Sequence, residues 1–219
     1  MHFPVYIYMM VVSLLASLFH LVDAKAARYL RLFPLFLACS VFVEIRADII
    51  RTGVGSGNNL LLYNFFVIVE FIFYLYVLKS VIFSPSVKKK MNWIIFFFIV
   101  LTGTNQVISL KVENFQSVTY AMGSMLIVIY SIFYFYELFN LPEFVDLLRE
   151  PSFWIVSGLL FYYTCTYPFT GMINHLASIP KLSYTTIEFL FTWTNVLLYL
   201  IFTIAFLCRI RIPKSISLS

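Results

Sequence analysis

The sequence predicts an all-α fold, a polytopic membrane protein of seven transmembrane helices forming a single domain over residues 1–219. Three observations carry that expectation. Hydrophobic residues make up 62% of the chain and charged residues 11%, with a mean hydropathy of +0.92, whereas soluble domains carry about 25% charged residues to keep a solvated surface. The apolar material comes in separate runs, each close to the roughly 20 residues that take a helix across a hydrocarbon core of about 30 Å. Barrel strands would instead show about ten residues of alternating polarity. The basic residues gather in the short connections between the runs.

The first run, Phe3–Val22, opens MHFPVYIY without the positive segment of a cleaved signal sequence, and its positive charges follow it, so a retained helix is expected. Lys25, Arg28 and Arg31 separate it from the second run, Leu32–Ile50. TGVGSGNN, 52–59, reads as a flexible turn before the third, Leu60–Leu78. Lys79 and Lys88-Lys89-Lys90 precede the fourth, Trp93–Leu110, which Thr102, Thr104, Asn105 and Gln106 interrupt. The fifth run is Val118–Leu138. After it, ELFNLPEFVDLLREP (137–151) interleaves leucines with acids, a pattern that suits a short amphipathic helix for docking a signalling partner, and equally an extension of the fifth helix stopped by Pro151. The sixth and seventh runs are Phe153–Ile173 and Tyr184–Leu207, followed by Arg209, Arg211 and Lys214.

Eleven basic residues thus fall on one side, against Arg51, Lys111 and Lys181 on the other. The positive-inside tendency puts the N-terminus outside and the C-terminus in the cytoplasm. It also explains the net charge of +5 without a nucleic-acid partner. Cys39, Cys165 and Cys208 sit in or at the edge of apolar runs with no metal-ligand spacing and read as small buried hydrophobes.

An internal echo suggests a repeat. IVEFIFYLYVL (68–78) and TIEFLFTWTNVL (186–197) set Glu70 and Glu188 at matching positions, and Pro34-Leu35-Phe36 matches Pro151-Ser152-Phe153 at nearly the same offset. A three-plus-one-plus-three plan follows, with halves 1–84 and 115–209 and a linker helix over 91–110.

The second run carries VFVEIRADIIR, 41–51. At 1.5 Å rise per residue Glu44 lies about 18 Å into the bilayer, with Asp48 and Arg51 roughly 6 and 10 Å beyond it. At 100° per residue these three fall within about 60° of one another, while Arg46 points about 160° away from Glu44. Each buried charge costs about 2.5–3.5 kcal/mol on insertion scales, so such a helix should face protein or a wet cavity. Glu70, about 15 Å down the third helix, comes to a similar level. Glu188 and Asn195 on the seventh helix, Asn105 and Gln106 on the fourth, and Asn174 and His175 at the end of the sixth supply further polar groups in the same half. The candidate ligand-binding residues are Glu44, Arg46, Asp48, Glu70, Asn105 and Glu188, with Glu188 as the expected counter-charge of Arg46. The competing explanation is that these side chains only tie helices together, as buried polar contacts in membrane bundles often do at about 0.6 kcal/mol each. The aromatic residues, 25 Phe and 15 Tyr, read as lipid contact and interfacial belt.

Several chemistries lack their residues. A retinal protein needs a lysine in its last helix, and Lys181 lies outside the seventh run. His2, His20 and His175 fall at different levels, so neither a three-histidine zinc site nor a serine–histidine–acid set is expected. Phosphate-binding glycine loops are absent as well. Neither an enzyme, a metal nor a cofactor is expected.

FVEI (42–45), YNFFVIVEFIFY (63–74), EPSFWIVSGLLFYY (150–163) and TNVLLYLIFTIAFLC (194–208) together resemble a little-characterised group of bacterial seven-helix membrane proteins, which occur alone or fused ahead of sensor histidine kinase modules. The resemblance implies a sensory module of the bacterial cytoplasmic membrane, with Glu44 and Glu70 as the matching carboxylates. The chain departs from the fused members by ending RIRIPKSISLS without an output domain. The expected function is therefore a receptor-like protein that binds a small or lipophilic ligand in an outer-facing polar pocket and signals through a separate partner. A small transporter with two three-helix halves, similar in plan to the SWEET sugar carriers but without their Pro-Gln pair, is the alternative. A structural subunit of a membrane complex comes third.

Overall fold

The computed structural model describes residues 3–23, 26–52, 59–109, 117–141, 146–171 and 181–208, and every regular element among them is helical. In chain order these are α1 (Val5–Ser17), a short α2 (Phe19–Val22), α3 (Arg28–Arg51), α4 (Asn59–Val81), α5 (Pro85–Ser109), α6 (Ser117–Phe139), a 3-10 turn (Leu147–Arg149), α7 (Pro151–Gly171) and α8 (Lys181–Leu207). Each predicted run has its helix. The first is interrupted only at Leu18, where the backbone stays right-handed helical and leads straight into α2.

Among the described residues, three stretches are long and apolar enough to cross a membrane: Leu62–Val81, Ser117–Phe139 and Glu188–Leu207. Val5–Leu21 is a shorter apolar helix. The remaining helices are diluted by polar residues: four ionisable side chains in the second half of α3, three lysines at the start of α5, and threonines and tyrosines through α7.

Two boundaries differ from expectation. Lys88-Lys89-Lys90 belong to the first turns of α5 and not to a loop, because Pro85, with its fixed φ and missing N–H, starts that helix early. Segment 137–151 is no continuous amphipathic helix: α6 ends at Phe139, Asn140 Nδ2 turns back onto Tyr136 O at 2.7 Å, and a 3-10 turn follows at Leu147–Arg149. Residues 142–145, most of the 52–59 turn, Asn174 and His175 lie outside the described residues.

Glu137, in the last turn of α6, accepts hydrogen bonds from the backbone N–H groups of Phe83 (2.7 Å) and Ser84 (3.0 Å) just ahead of α5. A carboxylate on such free donors is a charge-assisted helix cap. Glu137→Ala is expected to lower stability by about 1–2 kcal/mol, the scale of a lost cap. Denaturant unfolding in detergent measures this, with Glu137→Gln falling between the two.

Helices α1, α3, α4, α6, α7 and α8 follow one another in contact, and α8 returns to α1, so they close a circuit. Helix α5 stands outside it, against α4 and α6. Helix α4 supplies much of the core, with Phe71, Tyr74, Leu75, Val77 and Leu78 fully buried. Beside it, Phe33 of α3 meets Phe73, Phe202 and Phe206 edge-on at 5.0, 5.6 and 5.3 Å, and Phe36 stacks on Phe73 at 4.1 Å. This aromatic core fills the end of the bundle where His20 Nε2 meets Phe206 O at 3.0 Å.

The aromatic residues thus divide. Phe42, Phe65, Trp93, Phe97 and Tyr136 do face outward, whereas Phe33, Phe71, Tyr74, Tyr134 and Tyr163 are packed inside. The cysteines differ from expectation as well: Cys39 is on the exposed face of α3, and Cys165 and Cys208 are only partly covered.

Candidate functional site

At the opposite end, where α1, α4 and α8 begin and α3 finishes, the bundle encloses a cavity of about 220 Å³. Helices α1, α3, α4, α7 and α8 all contribute walls. Three of the six candidate residues, Glu44, Glu70 and Glu188, line it, together with Arg51 and Asn195.

Glu44 enters from α3. Its Oε2 accepts two phenolic hydrogen bonds, from Tyr6 Oη of α1 at 2.9 Å and Tyr63 Oη of α4 at 3.0 Å. No donor among the described residues reaches its Oε1. Glu70 enters from α4, and Tyr163 Oη of α7 donates to its Oε1 at 3.0 Å. Its Oε2 is likewise without a protein donor among the described residues. Each carboxylate is thus held on one oxygen by tyrosine and left with spare acceptor capacity on the other.

Asp48 and Arg51 form a separate unit at the mouth. Arg51 Nη2 donates to Asp48 Oδ1 at 2.6 Å, one turn back on the same helix. Its Nη1 lies 3.7 Å from Glu188 Oε1, linking α3 to α8. Asp48 is 5% exposed, while Arg51 and Glu188 are each 55% exposed. The neighbouring carboxylate raises the tendency of Arg51, at the helix end, to stay protonated. An exposed pair at 3.7 Å is worth only about 0–1 kcal/mol.

Three expectations are corrected here. Arg46 does not meet Glu188: it lies on the exposed face of α3, without an ion pair or hydrogen bond among the described residues, because the helical advance that brings Arg51 to the cavity turns Arg46 away. Asn105 does not line the cavity. It sits on α5, outside the circuit, where its Nδ2 donates to Thr119 Oγ1 of α6 at 3.0 Å. Asp48 is a neighbour of the cavity through Arg51 and not part of its wall.

The tyrosines were the residues that sequence reasoning missed. Tyr6, Tyr63, Tyr162 and Tyr199 line the cavity, and Tyr163 anchors Glu70 from behind. A signal for some of them exists in the spacing. Glu188, Thr192, Asn195 and Tyr199 follow at i, i+4, i+7 and i+11, one face of a helix, and Tyr63, Phe66 and Glu70 at i, i+3 and i+7 do the same. Comparison with family models, curated proteins and solved structures finds no match to this chain.

Proposed function

We propose that this chain is an integral protein of a bacterial cytoplasmic membrane that binds a small ligand in an outer-facing polar pocket and reports it to a separate partner. One observation carries the reading: Glu44 and Glu70, from different helices, line the same cavity, and each keeps an oxygen unclaimed by protein among the described residues. Side chains that only tie helices together find matched partners, as Asn105 of α5 does with Thr119 of α6. Two carboxyl groups under-supplied with donors around a partly open cavity stay ionised at low cost only if something enters to satisfy them. The positive-inside bias supports the outer placement. The resemblance to sensory modules supports the signalling half.

Retention of a small molecule tests this. Wild-type protein purified in mild detergent is expected to release a discrete compound on denaturation, detected by mass spectrometry, and the Glu44→Gln/Glu70→Gln double variant is expected to lack it. Identical extracts from two folded proteins would contradict the reading.

A transporter is the second reading, favoured by the order of neighbours. Helices α1, α3 and α4 form one run of contacts and α6, α7 and α8 another, with α4 on α6 and α8 on α1. That arrangement supports two equivalent halves with α5 as the linker. Proteoliposomes separate the readings: a transporter shows substrate flux that disappears in Glu70→Gln, and a receptor binds without flux.

A further inference from the structure

The charged groups around the cavity are mostly acidic. Glu44, Glu70 and Glu188 supply carboxyl groups, and Asn195 donates one amide N–H to Phe191 O at 2.8 Å, keeping its carbonyl oxygen and a second N–H. The guanidinium of Arg51, the cationic group of the wall, is already engaged by Asp48 and Glu188. Counting Asp48, the site holds four carboxyl groups and one fixed positive charge.

An independent observation points to an occupant. Tyr199 lines the cavity and is only 6% exposed, yet its hydroxyl has no hydrogen-bond partner among the described residues. Unlike Tyr74 Oη, which is sealed and unpaired, it belongs to a residue of the cavity wall. A buried phenol facing a cavity beside spare carboxylate oxygens is a group suited to a partner that enters.

We infer that the cavity takes a small organic ammonium ion, its N–H groups or its charge directed at Glu44 and Glu70 and its carbon skeleton against the surrounding rings. This rests on the pocket reading above and adds the ligand's chemical class. Phe66, Phe191, Tyr6, Tyr63 and Tyr162 line the same cavity as the carboxyl groups, and aromatic rings attract a cation placed over their faces. An anion would meet three carboxylates and no uncommitted cation. A neutral donor would satisfy the spare oxygens only with the carboxyl groups protonated, whereas an ammonium ion pairs with them ionised. A bare metal ion needs a close shell of oxygen ligands, and among the described residues no three His, Cys, Asp or Glu side chains come together to hold one. The size is restrictive too: 220 Å³ is below the roughly 300–1,000 Å³ of pockets for drug-sized ligands.

Charge-selective labelling with a matched pair of thiol reagents tests this. Thr192 lines the cavity, so Thr192→Cys is treated with trimethylammonioethyl methanethiosulfonate and, separately, with the sulfonatoethyl reagent. Modification at 192 is read by peptide mass spectrometry with the native cysteines in place, and both rates are normalised to a free thiol in solution. The cationic reagent is expected to react about tenfold faster or more, in line with electrostatic focusing in a charged cleft. That preference should fall towards unity in Glu44→Gln/Glu70→Gln, and n-butylammonium should slow the reaction where potassium at equal ionic strength does not. Equal rates, or a faster anionic reagent, overturn the ammonium inference while leaving a pocket. Protection by potassium as strong as by n-butylammonium overturns it in favour of an inorganic cation. No reaction with either reagent overturns the pocket itself. Asn195→Cys, on the same wall, serves if Thr192→Cys fails to fold.

Discussion

Gly123→Leu is expected to prevent stable folding, and Gly123→Ala to destabilise the protein measurably. A Cβ on Gly123 of α6 would stand about 2.5 Å from ring atoms of Phe71 on α4. Phe71 is fully buried and confined by Phe98, Tyr120 and Tyr163 at ring separations of 6.0, 5.3 and 5.4 Å. The ring therefore has little room to yield. Overpacking a tight core costs about 1–3 kcal/mol, which exceeds the gain of up to about 1 kcal/mol from replacing a helical glycine by alanine. The effect reaches the site, because Phe71 follows Glu70 in the chain and touches Tyr163, the donor to Glu70. Thermal unfolding of Gly123→Ala should fall below wild type, and Phe71→Leu added to it should recover part of the loss. Additive losses in the double-mutant cycle would show that the two residues do not compete for the same space.

Glu70→Gln is expected to weaken n-butylammonium binding at least tenfold, and Glu188→Gln about twofold at most. Both glutamates line one cavity, but they differ in setting. Glu70 is held by a buried tyrosine, whereas Glu188 is 55% exposed and partly neutralised by Arg51. Losing one member of a desolvated charge pair costs about 2–5 kcal/mol, while screened surface charges contribute about 0–1 kcal/mol. Titration calorimetry on detergent-solubilised protein measures the ratio. Equal losses in the two variants would mean that the cation is held at the mouth and not in the interior. Arg46→Gln is the control: on the exposed face of α3, it should leave affinity unchanged.

Much of this was legible in the sequence because helices make depth and direction simple functions of residue number. The rise per residue placed Glu44 and Glu70 at one level, and they share a cavity. The rotation per residue separated Arg46 from Glu44, Asp48 and Arg51, and Arg46 is on the exposed face. Partner choice between helices was not legible. Giving Glu188 to Arg46 instead of Arg51 required knowing how α8 is turned against α3, which packing decides and spacing does not. Asn105 failed for a related reason: its depth was plausible, but depth does not reveal that α5 stands outside the circuit. The tyrosines were hidden by their own ambiguity, since a phenol suits a membrane interface, a core or a hydrogen bond to a carboxylate equally well. In Tyr6 and Tyr63 the carboxylate of Glu44 decides the matter.

The most direct test of the central claim is a density map of the wild-type protein in lipid nanodiscs. A compact non-protein feature is expected between α3, α4 and α8, within hydrogen-bonding distance of the Glu44 and Glu70 carboxylates. Glu44 and Glu70 turned towards lipid, or separated by packed apolar side chains with no space between them, would contradict it.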